Sequence, residues 1–250
     1  MKKKSVLLIM ALVITMTAFG IHYSQARDSI GTISFMIGQG SDVQIKSNAD
    51  KGWSNAKLNQ SVYDADIIRT ASESRCEVTL SDKSVVRIGE NSEFVFSDVT
   101  VQEYKKNINS ELKKGKIWLN VKTLHDTKST FQVKTPTAVC AVRGTIYRVD
   151  SDSSTTCLVY DGAVDVGPAS LGGGTMVQPQ TNSLQPVEVP GPYTIPPPYE
   201  VSLEDWVRIV QGFQITVRPD GKYAKSRIDT NTDAALDWVQ WNRQRDQINK

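Results

Sequence analysis

The chain has 250 residues, of which 39% are hydrophobic and 22% are charged, with 29 Lys and Arg against 27 Asp and Glu. A chain of this length can bury a sizeable core, as one large domain or two small ones. The near balance of charge argues against a nucleic-acid partner, because such a partner would need a concentrated basic face.

The first 26 residues have the layout of a secretory signal peptide. Lysines at positions 2–4 precede a mostly apolar run at residues 6–21, and Ser24 and Ala26 place small side chains at the −3 and −1 positions of a cleavage site. The run is shorter than the about 20 apolar residues of a membrane span, although an uncleaved anchor is the alternative. We therefore predict an exported chain, periplasmic or secreted, with no membrane span after cleavage.

Residues 27–180 show the pattern of a β domain. Short alternating segments such as Ile33, Phe35 and Ile37 recur with turns about every ten residues, which is typical of an all-β unit. We predict a mainly β fold, either an elongated sandwich or a solenoid-like domain, followed by a small α+β C-terminal segment.

The composition changes after Gly167. Eight of the ten prolines fall between Pro168 and Pro198, so residues 181–200 are predicted to form a Pro-rich linker. Residues 201–250 then form a small, largely helical C-terminal segment.

Three elements are predicted in this C-terminal segment. Ser202 with Asp205 resembles a capping box for a short helix, with apolar residues at helical spacing up to Val210. Alternating residues at 213–217 predict a strand, and a second helix is predicted from about Asp233 to Ile248.

Tryptophans lie three apart in the predicted second helix, at Trp238 and Trp241. We expect them to cover a neighbouring protein surface. A partner-binding surface is the functional alternative, since aromatic side chains are frequent at interfaces.

Cys76, Cys140 and Cys157 are the cysteines of the chain. Export would permit a disulfide but leaves one thiol over, and Cys140 with Cys157 is the likelier pair because both fall in predicted strands close in sequence. The alternative is that all three are small buried hydrophobic residues.

No pattern of catalytic or ligand residues is present in the sequence. After signal removal the chain has one histidine, His125, and it has no Gly-x-Ser-x-Gly, phosphate-loop or His-Glu-x-x-His motif and no Cys/His cluster. Carboxylates that meet only in the fold are left open. We expect a protein that is not an enzyme, with no catalytic residues, no cofactor and no metal site.

Two segments and their spacing resemble the FecR domain family. The first segment is Asp-Ile-Ile-Arg-Thr, and the second is Thr-Pro-x-Ala-x-x-x-Val-Arg-Gly-Thr. An Asp-Gly turn between two strands closes the pattern. The residues that carry these motifs are Asp66, Arg69, Thr70, Thr135, Pro136, Arg143, Gly144, Thr145, Asp161 and Gly162. The likeness covers about residues 30–180, and residues 237–246 are similar to a Trp-and-Arg-Asp helix that ends some exported FecR-domain proteins.

The resemblance implies an elongated β module whose motif residues are structural. We expect Gly144 to allow a close strand approach and Arg143 to satisfy nearby carboxylates or carbonyls. The chain departs from the family pattern at Ala65, where Gly is usual, and at Lys83, where the usual turn is Asp-Gly-Ser.

The best-known members of that family pass an outer-membrane receptor signal to a sigma factor through a cytoplasmic anti-sigma region. Only residues 1–5 precede the apolar run here, so we expect that region to be missing. The sequence favours an exported, non-enzymatic binding or scaffold module of the bacterial cell envelope with protein or envelope partners. The alternative is a periplasmic signalling component that works with a separate membrane anti-sigma regulator and an outer-membrane receptor.

Overall fold

The computed structural model describes residues 28–48, 52–102, 105–123, 130–171, 201–202 and 205–248. The predicted signal peptide at 1–26, the predicted linker at 181–200 and His125 lie outside these residues. The strands are β1 (Gly31–Ile37), β2 (Val43–Lys46), β3 (Ser54–Asn55), β4 (Ser61–Val62), β5 (Ile67–Thr70), β6 (Arg75–Leu80), β7 (Val85–Ile88), β8 (Glu93–Gln102), β9 (Lys105–Val121), β10 (Thr130–Lys134), β11 (Ala138–Val142), β12 (Thr145–Ser151), β13 (Thr155–Asp161), β14 (Ala163–Pro168), β15 (Val201–Ser202), β16 (Val207–Val210), β17 (Phe213–Val217) and β18 (Lys222–Arg227). The helices are a single 3-10 turn (Ala169–Leu171), α1 (Thr230–Ala235) and α2 (Asp237–Ile248).

These strands form two sheets. Sheet A has the order β4-β1-β6-β7-β9-β12-β13-β17-β18-β15, and sheet B has the order β3-β2-β5-β8-β9-β10-β11-β14-β16. The pairing is antiparallel except between β9 and β10, which are parallel. An antiparallel sheet can bury one face and leave the other polar, and this decides where each side chain lies.

Strand β9 belongs to both sheets. Its first part, up to Lys114, pairs with β8 and β10 in sheet B, and its second part, from Gly115, pairs with β7 and β12 in sheet A. Gly115 has φ +94°, and a Cβ there would stand 2.1 Å from Ser92 Oγ. The crossing therefore needs glycine, both for its backbone conformation and for the space.

The core lies between the two sheets. Inward residues of sheet A such as Val78 and Tyr147 and inward residues of sheet B such as Phe94 and Val133 are fully buried in one apolar cluster. Successive side chains of a strand point to opposite faces of its sheet, and the apolar ones on the inner faces of both sheets form this core. The prediction of a mainly β fold is confirmed, and two sheets around one core make it a sandwich.

The C-terminal segment continues both sheets. Strand β16 pairs with β14 in sheet B, and β17 pairs with β13 in sheet A. The short helix predicted after the Ser202–Asp205 capping box is wrong, because Val207–Val210 is a strand. Its side chains alternate, with Ile209 buried and Val210 exposed, so pairing with β14 overrides the helical spacing.

The predicted strand at 213–217 is present, and the predicted second helix is present in two pieces. The break falls at Leu236, whose backbone is extended with φ −70° and ψ 126°. Among the described residues, neither helix has the length and hydropathy of a membrane span.

Candidate functional site

A row of side chains crosses the outer face of sheet A. The register pairs Phe35 with Glu77, Glu77 with Arg87, Arg87 with Trp118, and Trp118 with Arg148, on five consecutive strands. Directly paired residues point to the same face of a sheet. The row is charged and aromatic, while the residues on either side of it in β6, β7, β9 and β12 face the apolar core.

The C-terminal helices cover this row. We call residues 230–248, α1 and α2 together, the clasp. Its buried apolar residues, Trp238 and Val239, pack on Trp118, which is 1% exposed. Trp241 stacks on Trp238 with 5.5 Å between ring centroids.

The partner-surface hypothesis for Trp238 and Trp241 is corrected by this packing. Trp238 is only 5% exposed, and Trp241 is half-buried with its ring centroid 6.1 Å from that of Phe35. The alternative given with it, cover for a neighbouring protein surface, is what the structure has, because the two rings close over the aromatic part of the row.

Glu77 is the charged centre of the row. Its carboxylate accepts hydrogen bonds from Arg87 Nε at 2.6 Å, from Arg245 Nε and Nη2 at 2.9 and 2.8 Å, and from Ser34 Oγ at 2.8 Å. Burial alone would raise the pKa of the carboxyl, but the bonds from Arg245 and Arg87 outweigh burial and the pKa is lowered. The side chain therefore stays ionised beneath the clasp.

Asp246 joins the clasp to two strands, β7 and β9. Its Oδ1 accepts from Arg87 Nη1 at 2.7 Å and from Asn120 Nδ2 at 3.1 Å, and its Oδ2 accepts from Trp118 Nε1 at 3.0 Å. Arg245 and Asp246 are adjacent in sequence. The positive Arg245 binds Glu77, and the negative Asp246 binds Arg87. This arrangement fixes the position of α2 along the sheet.

A second charged cluster lies at the start of the clasp. Arg148 donates to Asp233 Oδ1 at 2.9 Å and forms an ion pair with Asp150 at 2.8 Å. The Tyr160 hydroxyl also donates to Asp233 Oδ1, at 3.0 Å, and the Tyr160 ring stacks on Trp118. Burial, followed by the neighbouring acidic charges, raises the pKa of Tyr160 even though Arg148 opposes the rise.

A cleft of about 680 Å³ opens beside this second cluster, between sheet A and the Leu236 break. Charged side chains line it, and several of them pair with one another. Arg75 forms an ion pair with Asp237, and Lys116 pairs with Glu90 at 3.0 Å. The cleft therefore combines apolar surface, which includes Leu236 and Trp238, with charged side chains that are matched in these pairs.

The first family-motif residues hold turns at the two ends of β5. Asp66 Oδ2 accepts from the Tyr63 amide at 2.9 Å, and the Thr70 hydroxyl accepts from the Ser92 amide at 3.0 Å. The Arg69 guanidinium lies 4.0 Å from the centre of the Trp53 ring.

The remaining motif residues hold the joins between strands. The Thr135 hydroxyl lies 2.7 Å from that of Thr155, and the Thr145 hydroxyl donates to the Ala163 carbonyl at 2.8 Å. Pro136 is exposed in the turn between β10 and β11.

Gly144 lies where two backbones approach closely. It has φ +137°, and a Cβ there would stand 2.8 Å from Thr123 Cα. Arg143 lies near enough to Asp165 to favour its charged form, although burial has the larger effect and raises the pKa of Asp165. Asp161 and Gly162 form the join between β13 and β14.

The predicted disulfide is absent from the structure. Cys76, Cys140 and Cys157 are free and buried. Cys140 in sheet B and Cys157 in sheet A both belong to the core cluster, and a hydrogen bond with Cys140, followed by burial, raises the pKa of the Cys157 thiol. The alternative, small buried hydrophobic residues, describes them as they stand.

Sequence reasoning missed Glu77, Arg87 and Arg148 as a joint site. The available signal was a charged residue inside an apolar strand, as in Val85–Ile88, where every residue including Arg87 is buried. In the part of the chain that the structure describes, no group of three or more His, Cys, Asp or Glu side chains could hold a metal ion.

Comparison with known proteins gives one family match. Residues 66–165 match the FecR protein family, and no curated protein matches the chain in sequence. Two crystal structures of a candidate anti-sigma factor from Parabacteroides distasonis ATCC 8503, at 1.65 and 2.50 Å resolution, are similar, with 19% and 18% identity and TM-scores of 0.47 and 0.45. The alignments cover 70% and 65% of this chain but only 64% and 60% of those chains, so this chain spans less than two thirds of their length.

The family match begins in the turn before β5 and ends in β14. It contains both motif segments that build the joins of the sandwich, together with Glu77, Arg87, Trp118 and Arg148 of the outer row. The clasp that covers this row lies outside the match. Residues 66–165 of this chain are a FecR domain.

Proposed function

We propose that the chain is a regulatory module of signal transduction that acts by binding other proteins in the cell envelope. The observation that carries the proposal is the FecR domain at residues 66–165. Its motif residues lie in turns and strand joins, where Thr135 bonds to Thr155 and Gly144 packs against Thr123. These residues hold the sandwich together, so we expect a partner to bind the surface of the sandwich and not the motif residues.

The charges at the cleft also favour binding over catalysis. A general acid or base needs a free carboxyl or imidazole within reach of a reacting group. Here Glu90 is held by Lys116 and Asp150 is held by Arg148. Side chains that are paired in this way position elements of the fold.

Export completes the proposal. The layout of residues 1–26 supports passage through the secretory pathway, and the partner would then be a membrane anti-sigma regulator, an outer-membrane receptor or another envelope protein. Fractionation of cells that express the tagged chain, with N-terminal sequencing of the product, tests this step. We expect a periplasmic product that begins at Arg27, and a cytoplasmic product with an intact N-terminus would contradict export.

The binding role is tested by crosslinking the exported, tagged chain in its own cells. We expect a membrane regulator or receptor to be captured and to bind the purified chain saturably, and deletion of the chain to change transcription of a sigma-dependent set of genes. An unrelated exported β-sandwich of similar charge is the control bait. A captured structural envelope protein with unchanged transcription would favour the scaffold role. Turnover of a cell-wall substrate that is lost on replacing a carboxylate would overturn the proposal.

A further inference from the structure

We propose that helix α2 is a releasable latch: it leaves the outer face of sheet A while the sandwich stays folded, and it uncovers the row from Phe35 to Trp118. The inference concerns a movement within the chain, and it stands whether or not the proposed function is right. It rests on how the buried charges are partnered, on the confinement of the apolar contact to the first half of α2 and on the break at Leu236.

The buried charges of the row keep partners on the sheet when α2 leaves. Glu77 is paired with Arg87 of the neighbouring strand at 2.6 Å, and Arg148 is paired with Asp150 of its own strand at 2.8 Å. Opening therefore leaves neither Glu77 nor Arg148 as a lone charge, and water can reach the pairs again. The usual penalty for breaking a buried ion pair comes from the partner left behind unpaired, and that penalty is small here.

The charges on the helix side return to water. Arg245 and Asp246 bind opposite ends of the Glu77–Arg87 pair, and their side chains are already 17% and 12% exposed. Adjacent in sequence, they separate from the sheet together. The docked state is thus held by a matched set of charge-assisted hydrogen bonds, which are directional and exchangeable with water.

The apolar part of the contact is confined to the first half of α2. Within α2 the buried residues are Trp238, Val239 and Asn242, and all three lie in its first half. The second half is held to the sheet through Arg245 and Asp246, and Ile248 is 74% exposed. Elements with few buried apolar contacts open at lower free energy than the core around them.

The chain also has a place to bend. Leu236 is extended between two helices and is 43% exposed. Helix α1 has its own attachment through Asp233, which binds Arg148 and Tyr160. A change in the backbone at Leu236 therefore frees α2 while α1 stays on the sheet.

Hydrogen exchange of the full chain, followed by mass spectrometry, tests the latch. We expect amides of residues 239–248 to exchange at least roughly tenfold faster than those of β7 and β12 beneath them, because the helix opens without global unfolding. The variant Arg245→Gln removes two bonds to Glu77 and leaves the sheet pairs intact. It should raise exchange in α2 by a further roughly tenfold to hundredfold, with the strands unchanged.

Asp246→Asn is a second variant on the helix side and should act in the same direction. Lys113→Gln is the matched control, because it removes one member of the exposed Lys113–Glu93 pair away from the clasp, and it should leave α2 unchanged. Equal exchange rates for α2 and the strands in the unaltered chain would overturn the inference. So would an Arg245→Gln variant that accelerates α2, β7 and β12 together.

Discussion

The core between the sheets and the interface under the clasp are equally inaccessible to solvent but differ in chemistry. Phe94 and Val133 in the core and Glu77 and Arg87 under the clasp are all at most 1% exposed. Burial of apolar side chains drives folding and is largely non-directional. Buried ion pairs add little net stability, because desolvation offsets attraction, but their geometry is exacting. The core thus stabilises the sandwich, and the charged row decides where α2 lies.

The largest effect is expected from a core substitution. Phe94→Ala removes a fully buried ring that meets Phe96 edge-on, with 5.0 Å between centroids. It should lower the free energy of unfolding by about 3–5 kcal/mol, measured by urea denaturation, with the sandwich and the clasp lost in one transition. A tryptophan signal from the clasp that persisted after the sandwich had unfolded would contradict the comparison.

A substitution under the clasp should cost somewhat less and act locally. Glu77→Ala leaves Arg87 and Arg245 without their shared carboxylate, at a cost of about 3 kcal/mol. Near-ultraviolet circular dichroism should report loss of tryptophan packing while the β signal remains. The double variant Glu77→Leu with Arg245→Leu should recover most of the loss, since Arg87 keeps Asp246. If the double variant were worse than the single one, the charged row would be a net source of stability.

Gly144→Val tests the frame of the FecR domain. A side chain at φ +137° and within 2.8 Å of Thr123 Cα combines backbone strain with overpacking, at about 2–4 kcal/mol. The melting temperature should fall, while Gly52→Val, where a Cβ meets nothing within 4 Å, should have little effect. A Gly144→Val variant with an unchanged melting temperature and lost partner binding would make the motif a binding site instead.

Acid should loosen the clasp before it unfolds the core. The pKa of Glu77 is lowered from its ordinary value of 4.5, since bonds from Arg245, Arg87 and Ser34 outweigh the effect of burial. Its contribution is therefore fully present above about pH 4.5 and is lost as pH falls through the folded pKa. Tryptophan fluorescence against pH should show this transition, and Glu77→Gln should remove it. The control Glu93→Gln, which changes a half-buried carboxyl away from the clasp, should keep the transition. Persistence of the transition in Glu77→Gln would assign it to another group.

The smallest effects concern the two departures from the family pattern. Ala65 and Lys83 have φ +64° and +69°, a conformation that costs an L-residue about 1–2 kcal/mol. Ala65→Gly and Lys83→Gly should each stabilise the chain by about 0.5–1 kcal/mol after the larger unfolded-state entropy of glycine is counted. Thermal unfolding measures this, with Ala71→Gly as a control expected to destabilise. Loss of stability in the first two variants would show that their side-chain contacts outweigh the backbone strain.

Alternation of apolar residues was enough to predict the β fold and the strand at Phe213–Val217. It failed at Val207–Val210, where the same apolar residues fit helical and strand spacing and pairing with β14 decided between them. Glycine at the approach to Thr123 was predictable because the Arg-Gly-Thr step interrupts a strand pattern. These features depend on residues close in sequence or on the two-residue alternation of a single strand.

The charged row could not be predicted in this way. Glu77 is separated from its partner Arg245 by 168 residues, and nothing near either residue indicates the other. A buried charge is tolerated only where a partner is placed beside it. The placement depends on the register of five strands and on the docking of α2, so it emerges only from the assembled fold.

The shared strand β9 gives the sandwich mechanical continuity. Because Lys114 and Gly115 are consecutive residues in different sheets, neither sheet can slide over the other without shearing the hydrogen-bond ladder of β9. A load applied to the outer surface of sheet B therefore passes through one backbone to the strands beneath the clasp. A partner that pulls on sheet B would therefore displace sheet A as well, because the two sheets share the backbone of β9.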